Sequence, residues 1–451
     1  MSLKPILILL ACVSMAGPCA AAADPLPRSA SLAAEVRTVT GGAARGVEVT
    51  ALRGEAGVAL KAGDIIVALD GKPTADVPAL LAALRGTRAG NRLHVEVQRG
   101  RVRKHLWGIA AARPIERFAG AETRLGEVAF GGGLLRDIMV VPHGAPADGP
   151  LLFLIPGYTC ASVETPDPDA SHHQLIEGLA KRGIATYRIE KPGVGDSRGG
   201  KPCADIDFAT ELGGFVAGYR ALVEKYGVSP DRIFLFGHSL GGIEAPLMAR
   251  DLPPRGVAVY GTVYENWQDY MANVFRTQDF IALAADPALG EARGEEARAL
   301  LHQVFVDRLT PGQIAAQGPE AAARLTSLMS WDGGTHYYGR HYAYWQGLAG
   351  QRMAAAWRDV HAEVLSIFGE SDVEALNDIG HRAIADVVNH YRPGTARFVA
   401  VPLTGHKMRL DGTLADVRRA RSGGDEEGAT RPFNPALIDI VADWIARAAK
   451  R

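Results

Sequence analysis

Hydrophobic positions fall along this chain in three distinct rhythms. Residues 5–15 are largely apolar and nearly continuous. From residue 46 the pattern shortens. Gly46–Leu52 alternates as a half-buried strand, Ile65–Leu69 is a second apolar run, Val77–Leu84 has helical spacing, and Leu93–Arg99 alternates again before a turn at Gly100. Residues 24–45, rich in Ala, Arg and Gly, read as a loose lead-in. After Pro114 short apolar runs alternate with helical segments. A hairpin is expected over 125–130 and 134–141 around Gly131-Gly132-Gly133. Further strands are expected over 151–155, 184–189, 232–236, 256–263, 364–368 and 396–401. Helices are expected over 175–181, 208–226 and 435–449, with a helix start at Gly241-Gly242. Strands alternating with helices argue for an α/β architecture, a mostly parallel sheet with helices on both faces. Between residues 264 and 357 the strand rhythm stops.

That ninety-residue interval is mostly helical and unusually aromatic, ending in His336-Tyr337-Tyr338-Gly339-Arg340-His341-Tyr342-Ala343-Tyr344-Trp345. A helical insert in such a sheet reads as a cap over the strand ends, where ligands bind. Tyr337, Tyr342 and Trp345 are the candidate substrate contacts; about half of the insert's aromatics read as ordinary cap core. Residues 422–428 read as an exposed loop. There is no tandem repeat.

Charge narrows the partners. In 451 residues, 49 Lys and Arg balance 50 Asp and Glu. No basic field is available for nucleic acid and no acidic tail is present, which favours a neutral or mildly polar small-molecule substrate. Lys4, the apolar stretch behind it and Ala20-Ala21-Ala22-Ala23 before Asp24 form the three parts of a secretory signal over residues 1–23. Its apolar stretch is too short to span a bilayer, and no later segment is long enough, so no transmembrane anchor is expected. A lipoprotein signal at Leu9-Leu10-Ala11-Cys12 is a poorer fit. Export to the periplasm or exterior leaves Cys160 and Cys203 of the 4 cysteines, and an oxidising compartment implies a disulfide between them, with two free buried thiols as the alternative.

The chemistry starts at Gly237-His238-Ser239-Leu240-Gly241-Gly242, directly after an apolar run. This is a G-x-S-x-G nucleophile elbow, and its strand-before, helix-after context carries more weight than the short pattern. A serine needs a general base, and the base needs a carboxylate. Both follow in order: Gly369-Glu370-Ser371-Asp372 after the strand 364–368, and Leu403-Thr404-Gly405-His406 after the strand 396–401.

From about residue 125 the chain resembles the α/β-hydrolase family in these motifs. The resemblance implies Ser239 as nucleophile, His406 as base and Asp372 as acid, with Glu370 and then Asp378 as rival carboxylates. Of the other histidines, His361, His381 and His390 lie near or within helices and read as surface residues. The resemblance also implies an oxyanion hole built from the backbone amides of Leu240 and Tyr158, the latter in Pro156-Gly157-Tyr158-Thr159-Cys160. The turn Glu190 to Gly199 matches the family's G-x-G-x-S and is expected to brace the site. No H-E-x-x-H and no zinc-spaced Cys/His set occurs; His172-His173 and His336/His341 could touch a metal, but neither metal nor cofactor is expected.

Lys61-Ala62-Gly63-Asp64-Ile65-Ile66 with Leu69-Asp70-Gly71 resembles the PDZ signature. This implies a PDZ-like domain over 24–112 that either takes a peptide C-terminus at Ala43–Val47 or only packs on the enzyme. The remaining domains are then the hydrolase core over 113–263 and 358–451, interrupted by the cap over 264–357. The expected function is an exported serine hydrolase cleaving carboxylic esters or related acyl bonds through an acyl-enzyme. A serine aminopeptidase of the same fold is the alternative, though the loop reads Pro156-Gly157-Tyr158 in place of the H-G-G-P-G of prolyl aminopeptidases. An inactive peptide-binding scaffold is the alternative outside enzymes.

Overall fold

The computed structural model of the chain describes residues 26–39, 45–53, 57–423 and 431–450. The expected signal segment with Cys12 and Cys19, Ala43 and Ala44 of the expected peptide loop, and most of the expected 422–428 loop lie outside these residues.

The N-terminal unit is an antiparallel sheet in the order Ala34–Val39, Gly46–Leu52, Ile65–Leu69, Arg92–Arg99, Val102–Ile109. Strict alternation puts Val47 and Val49, and Leu93, Val95 and Val97, on its buried face. The helix Val77–Leu84 starts at Asp76, whose side chain accepts the Ala79 N–H at 2.8 Å. The lead-in is not loose. Residues 34–39 pair with 46–52, and Leu26 is fully buried. Arg28 is ion-paired to Glu164 at 2.7 Å and to Asp196 at 2.5 Å, and the Ser29 N–H donates to Asp196 Oδ1 at 2.7 Å. These contacts fasten the N-terminal unit to the Glu190–Gly199 turn.

The main sheet contains β1 (Ala121–Phe130), β2 (Gly133–Pro142), β3 (Leu151–Ile155), β4 (Ala185–Ile189), β5 (Ile233–His238), β6 (Gly256–Tyr260), β7 (Glu363–Gly369) and β8 (Ala396–Val401). Its order is β1-β2-β4-β3-β5-β6-β7-β8, antiparallel for β1, β2 and β4 and parallel thereafter. The continuous apolar runs follow from burial on both faces. Phe153 and Leu235 join one core with the helices Phe208–Glu224 and Gly241–Asp251, while Leu152 and Phe234 join the other beneath Ser171–Ala180 and Ala436–Ala448. The order reverses at β3. The chain leaves β3 toward β4 and returns to β5 on β3's other side, which opens a crevice at the carboxyl ends of β3 and β5.

The cap closes that crevice with the helices Trp267–Leu283, Pro287–Phe305, Pro311–Ala315, Pro319–Met329 and Tyr342–Ala349. An unforeseen helix from the C-terminal part, Leu414–Ser422, joins it: Arg418 Nε donates to the Ile281 carbonyl at 2.8 Å, and Val417 packs with Ala282. Among the described residues no helix is long and apolar enough to cross a membrane.

Candidate active site

Parallel pairing of β3 and β5 puts Ile155 opposite Gly237, so the two strands deliver Pro156–Thr159 and Ser239 to one place. Ser239 has φ +55°, the left-handed conformation a side-chain-bearing residue adopts only when its surroundings enforce it. Glycine is required around it. A Cβ on Gly237 would lie 2.4 Å from the Gly241 carbonyl oxygen, and one on Gly241 would lie 2.2 Å from that of Ile155. A Cβ on Gly157 would be 3.2 Å from Ser239 Cβ, so the loop after β3 lies directly against the serine.

β7 and β8 supply the second half. Asp372 Oδ2 meets His406 Nδ1 at 2.8 Å, and Asp372 Oδ1 accepts the N–H groups of Glu374 and Ala375, each at 2.9 Å. Burial works to raise the Asp372 carboxyl, but His406 and these two amides outweigh it and leave it below the usual carboxylate range. Burial likewise opposes charge on His406; Asp372 outweighs it and holds the ring above its ordinary value. Gly261, at φ +59°, makes room for the pair: a Cβ there would sit 2.8 Å from Asp372 Oδ2. Glu370 is exposed and outside this arrangement, and Asp378 is engaged with Arg382 at 2.7 Å, so neither rival carboxylate reaches His406.

Ser239 and His406 open into one cavity of about 930 Å³, together with Gly157, Tyr158 and Leu240. Among the described residues the N–H groups of Tyr158 and Leu240 donate no hydrogen bond. Of the three cap aromatics expected at the pocket, only Trp345 lines it. Tyr337 is fully buried in cap core and the Tyr342 ring lies tilted against His341, 4.5 Å between centroids. Tyr338 lines the cavity instead, because a tight turn with φ +48° at Tyr338 and +72° at Gly339 reverses the chain. Trp267, Tyr270 and Phe275 complete its aromatic wall.

Cys160 and Cys203 form a disulfide with Cα atoms 5.8 Å apart, tying the loop after β3 to the segment following the Glu190–Gly199 turn. His381, expected at the surface, is buried; its Nδ1–H donates to Ser366 Oγ at 2.9 Å and its Nε2 accepts from the Thr262 N–H at 3.2 Å. Burial drives its pKa down to about 4. His238 is also buried; burial and then His172 keep its ring well below its ordinary value, and its Nε2–H donates to the His406 carbonyl at 2.9 Å. His173 and His336 are taken up by hydrogen bonds to the Thr165 carbonyl and to Asp205.

A buried ionic cluster beneath Pro156–Thr159 was not foreseen. Lys191 Nζ donates to the carbonyls of Gly157 at 2.6 Å and Thr159 at 3.1 Å and pairs with Glu211 at 3.0 Å. Arg340, from the cap, donates to the Tyr158 carbonyl at 2.5 Å, pairs with Glu211 at 2.7 Å and stacks 3.7 Å above the Tyr344 ring. Glu244 completes the cluster; burial, then the charge of Glu211, raises its carboxyl well above the usual range. Every one of these four ionisable side chains is almost fully buried. Three consecutive carbonyls are thus gripped from two sides.

Residues 139–419, well over half of the chain, match the sequence model of the Alpha/beta hydrolase family. No curated protein matches the chain. Similar solved structures include Est1E from Butyrivibrio proteoclasticus, with 16% identity, 74% of this chain and 100% of that one covered, and TM-score 0.42. Proline iminopeptidase of Mycobacterium smegmatis has 17% identity, 72% and 99% coverage and TM-score 0.41. An esterase of Pyrococcus furiosus has 14% identity, 74% and 95% coverage and TM-score 0.43. With the family match spanning β2 to the helix Leu414–Ser422, and with the sheet order and serine turn described above, the chain belongs to the alpha/beta hydrolase family.

Proposed function

We propose that this hydrolase cleaves carboxylic esters or related acyl bonds through an acyl-enzyme on Ser239. His406 takes the Ser239 proton as the hydroxyl attacks the acyl carbon, and later returns it to the leaving oxygen. Asp372 holds His406 in the tautomer that leaves Nε2 free to accept and stabilises the ring once charged. The Tyr158 and Leu240 amides receive the negative oxygen of the tetrahedral intermediate, and water then repeats the sequence to release the acid. The observation that carries the proposal is the 2.8 Å Asp372–His406 contact opening, with a strained Ser239, onto a cavity also lined by Tyr158 and Leu240, whose N–H groups donate no hydrogen bond among the described residues.

The cavity carboxylates favour an acyl over an aminoacyl substrate. Asp279 is paired with Arg293 at 3.0 Å, Glu374 with Arg421 at 3.0 Å and Asp411 with Arg431 at 3.4 Å. An aminopeptidase needs a carboxylate to take an α-ammonium group, and here an arginine already neighbours each of the three. The 930 Å³ volume and aromatic wall suit a sizeable apolar acyl or alcohol moiety. We further propose an exported protein, which the Cys160–Cys203 bridge supports. The N-terminal unit is proposed as a fixed accessory domain, supported by its Arg28 and Ser29 contacts to Asp196. Its PDZ-like capture of a peptide end remains tied to residues 43–47, of which 43 and 44 are not described.

Fluorophosphonate labelling followed by intact-mass measurement tests the mechanism. One adduct per chain, lost in Ser239→Ala, is expected. A folded wild-type protein that takes no label overturns the proposal. Comparing turnover of p-nitrophenyl acyl esters and aminoacyl p-nitroanilides separates esterase from aminopeptidase.

A further inference from the structure

The N-terminal sheet presents a cluster that the proposed hydrolysis does not use. Strand Arg92–Arg99 buries Leu93, Val95 and Val97, so His94 and Glu96 both face away from the core. In the antiparallel register with Val102–Ile109, Glu96 lies opposite His105 and His94 opposite Trp107. Two imidazoles and a carboxylate therefore share one outer face of one hairpin. Their potential ligand atoms all lie within 4.8 Å of one another, and they are the one such group of three among the described residues.

The two rings are brought nitrogen to nitrogen, His94 Nε2 to His105 Nδ1, at 3.0 Å. Two ring nitrogens bound to one Zn2+ at about 2.0–2.1 Å with a tetrahedral angle stand about 3.3 Å apart. The 3.0 Å separation is a ring-to-ring hydrogen bond, and a small opening of the pair with loss of the shared proton brings it to the chelating distance. The two rings are parallel within 7°, with centroids 5.2 Å apart, and Trp107 stacks on His94 at 4.2 Å. The competing cation, Arg103, stands 3.9 Å from Glu96 on a largely exposed side chain, a contact of little strength.

We propose that His94, Glu96 and His105 form a surface site for a borderline divalent cation of the Zn2+ class. Imidazole with one carboxylate suits that class better than Mg2+ or Ca2+, which take oxygen ligands. Three protein ligands leave a fourth position to water or to a side chain of another molecule. The bound ion joins strand Arg92–Arg99 to the edge strand Val102–Ile109, clipping the last hairpin of a small domain. The site lies on the outer face of a separate sheet and takes no part in the chemistry at Ser239.

The test uses untagged, chelator-stripped full-length mature protein. Isothermal titration with ZnCl2 at pH 7.5 should give one Zn2+ per chain. His94→Ala and His105→Ala should each weaken it at least tenfold, and Glu96→Gln less. Cu2+ should quench tryptophan emission in wild type and not in Trp107→Phe, while esterase turnover and far-UV circular dichroism of His105→Ala stay at wild-type level. Absence of Zn2+ binding overturns the proposal. So does stoichiometric binding that His94→Ala and His105→Ala leave unchanged, which would place the ion on other residues.

Discussion

Replacing Lys191 by methionine should cripple turnover without touching any residue that meets the substrate. Methionine fits the space of the lysine stem but donates nothing. The change removes hydrogen bonds of 2.6 and 3.1 Å to the Gly157 and Thr159 carbonyls and the 3.0 Å pair with Glu211. Hydrogen bonds from a charged donor contribute about 1.5–3 kcal/mol each, and removing one partner of a buried ion pair costs about 3–5 kcal/mol. Those terms overlap, so about 3–5 kcal/mol is the working figure, a fall of roughly 6–20 °C in melting temperature at about 2–4 °C per kcal/mol. The kinetic effect is separate. Losing one oxyanion donor costs about 10²–10³ in kcat, and a partial shift of the Tyr158 amide should approach the lower end. Stopped assays with a p-nitrophenyl ester, below the variant's melting temperature, should show kcat down about a hundredfold and KM within a few-fold. The pH midpoint should be unchanged, because Lys191 makes no contact with His406. Arg340→Lys, which keeps the charge but not both contacts to Tyr158 and Glu211, should fall in the same direction by less. A folded Lys191→Met variant with kcat within threefold of wild type would refute the reasoning.

Ser239→Ala should abolish ester turnover, His406→Ala and Asp372→Asn should each cost several orders of magnitude, and Glu370→Gln should be silent; steady-state assays of the purified variants decide it. In the pH profile, kcat/KM should rise through a midpoint above about 6.5, the ordinary imidazole value, since the base must be neutral and Asp372 holds its proton on. Stability runs the other way across that interval. A raised His406 contributes stability that is complete below about 6.5 and lost as pH rises through its folded value, so melting temperature should drop as activity climbs, and His406→Gln should abolish both trends. Trp345→Ala and Tyr338→Ala should raise KM for bulky esters, whereas Tyr337→Ala should lower melting temperature with KM unchanged. Reducing the Cys160–Cys203 bridge, or Cys203→Ser, should lower melting temperature, with about 4 kcal/mol as the chain-entropy ceiling, and should lower kcat as well; calorimetry and kinetics with and without reductant measure the two.

What was legible in the chain is what local pattern encodes. Strands buried on both faces write themselves as unbroken runs such as Leu151–Ile155 and Ile233–Phe236, and the serine turn is marked by glycines that its close approaches demand. Asp372 and His406 are assigned by resemblance to the family, each following the end of a strand, and those two strands are parallel neighbours in the sheet. Non-local polar packing was not legible. Lys191, Glu211, Glu244 and Arg340 come from four segments, and nothing in the neighbourhood of any one of them signals the other three. His381 sits on a helix face that only the folded sheet covers. Tyr337 and Tyr338 exchange places because pocket-facing direction depends on a two-residue turn. Ala34–Val39 was missed as a strand because its sequence, Ala-Glu-Val-Arg-Thr-Val, carries little apolar contrast, and Leu414–Ser422 because its sequence is mostly polar. The hairpin ligands are hidden for the same reason: positions 94, 96 and 105 have no metal-site spacing until the register puts them side by side.

The cluster under Pro156–Thr159 answers a constraint that the proposed mechanism itself imposes. An amide that is to receive the oxyanion must be unpaired in the resting enzyme, so Tyr158 cannot be fixed by the hydrogen bond that normally anchors a loop residue. The loop must be held by its other groups. Its carbonyls at 157, 158 and 159 take the buried cations, and its next residue, Cys160, is covalently tied to Cys203. Arg340 reaches in from the cap, Lys191 from the turn after β4 and Glu211 from the helix Phe208–Glu224, so the cap, the sheet and the flanking helix set the amide's position together. This also explains why charge is kept where an apolar core would be no less stable. A carbonyl can be gripped only by a donor, and a lysine and an arginine supply several donors each while leaving the loop's N–H groups to the substrate.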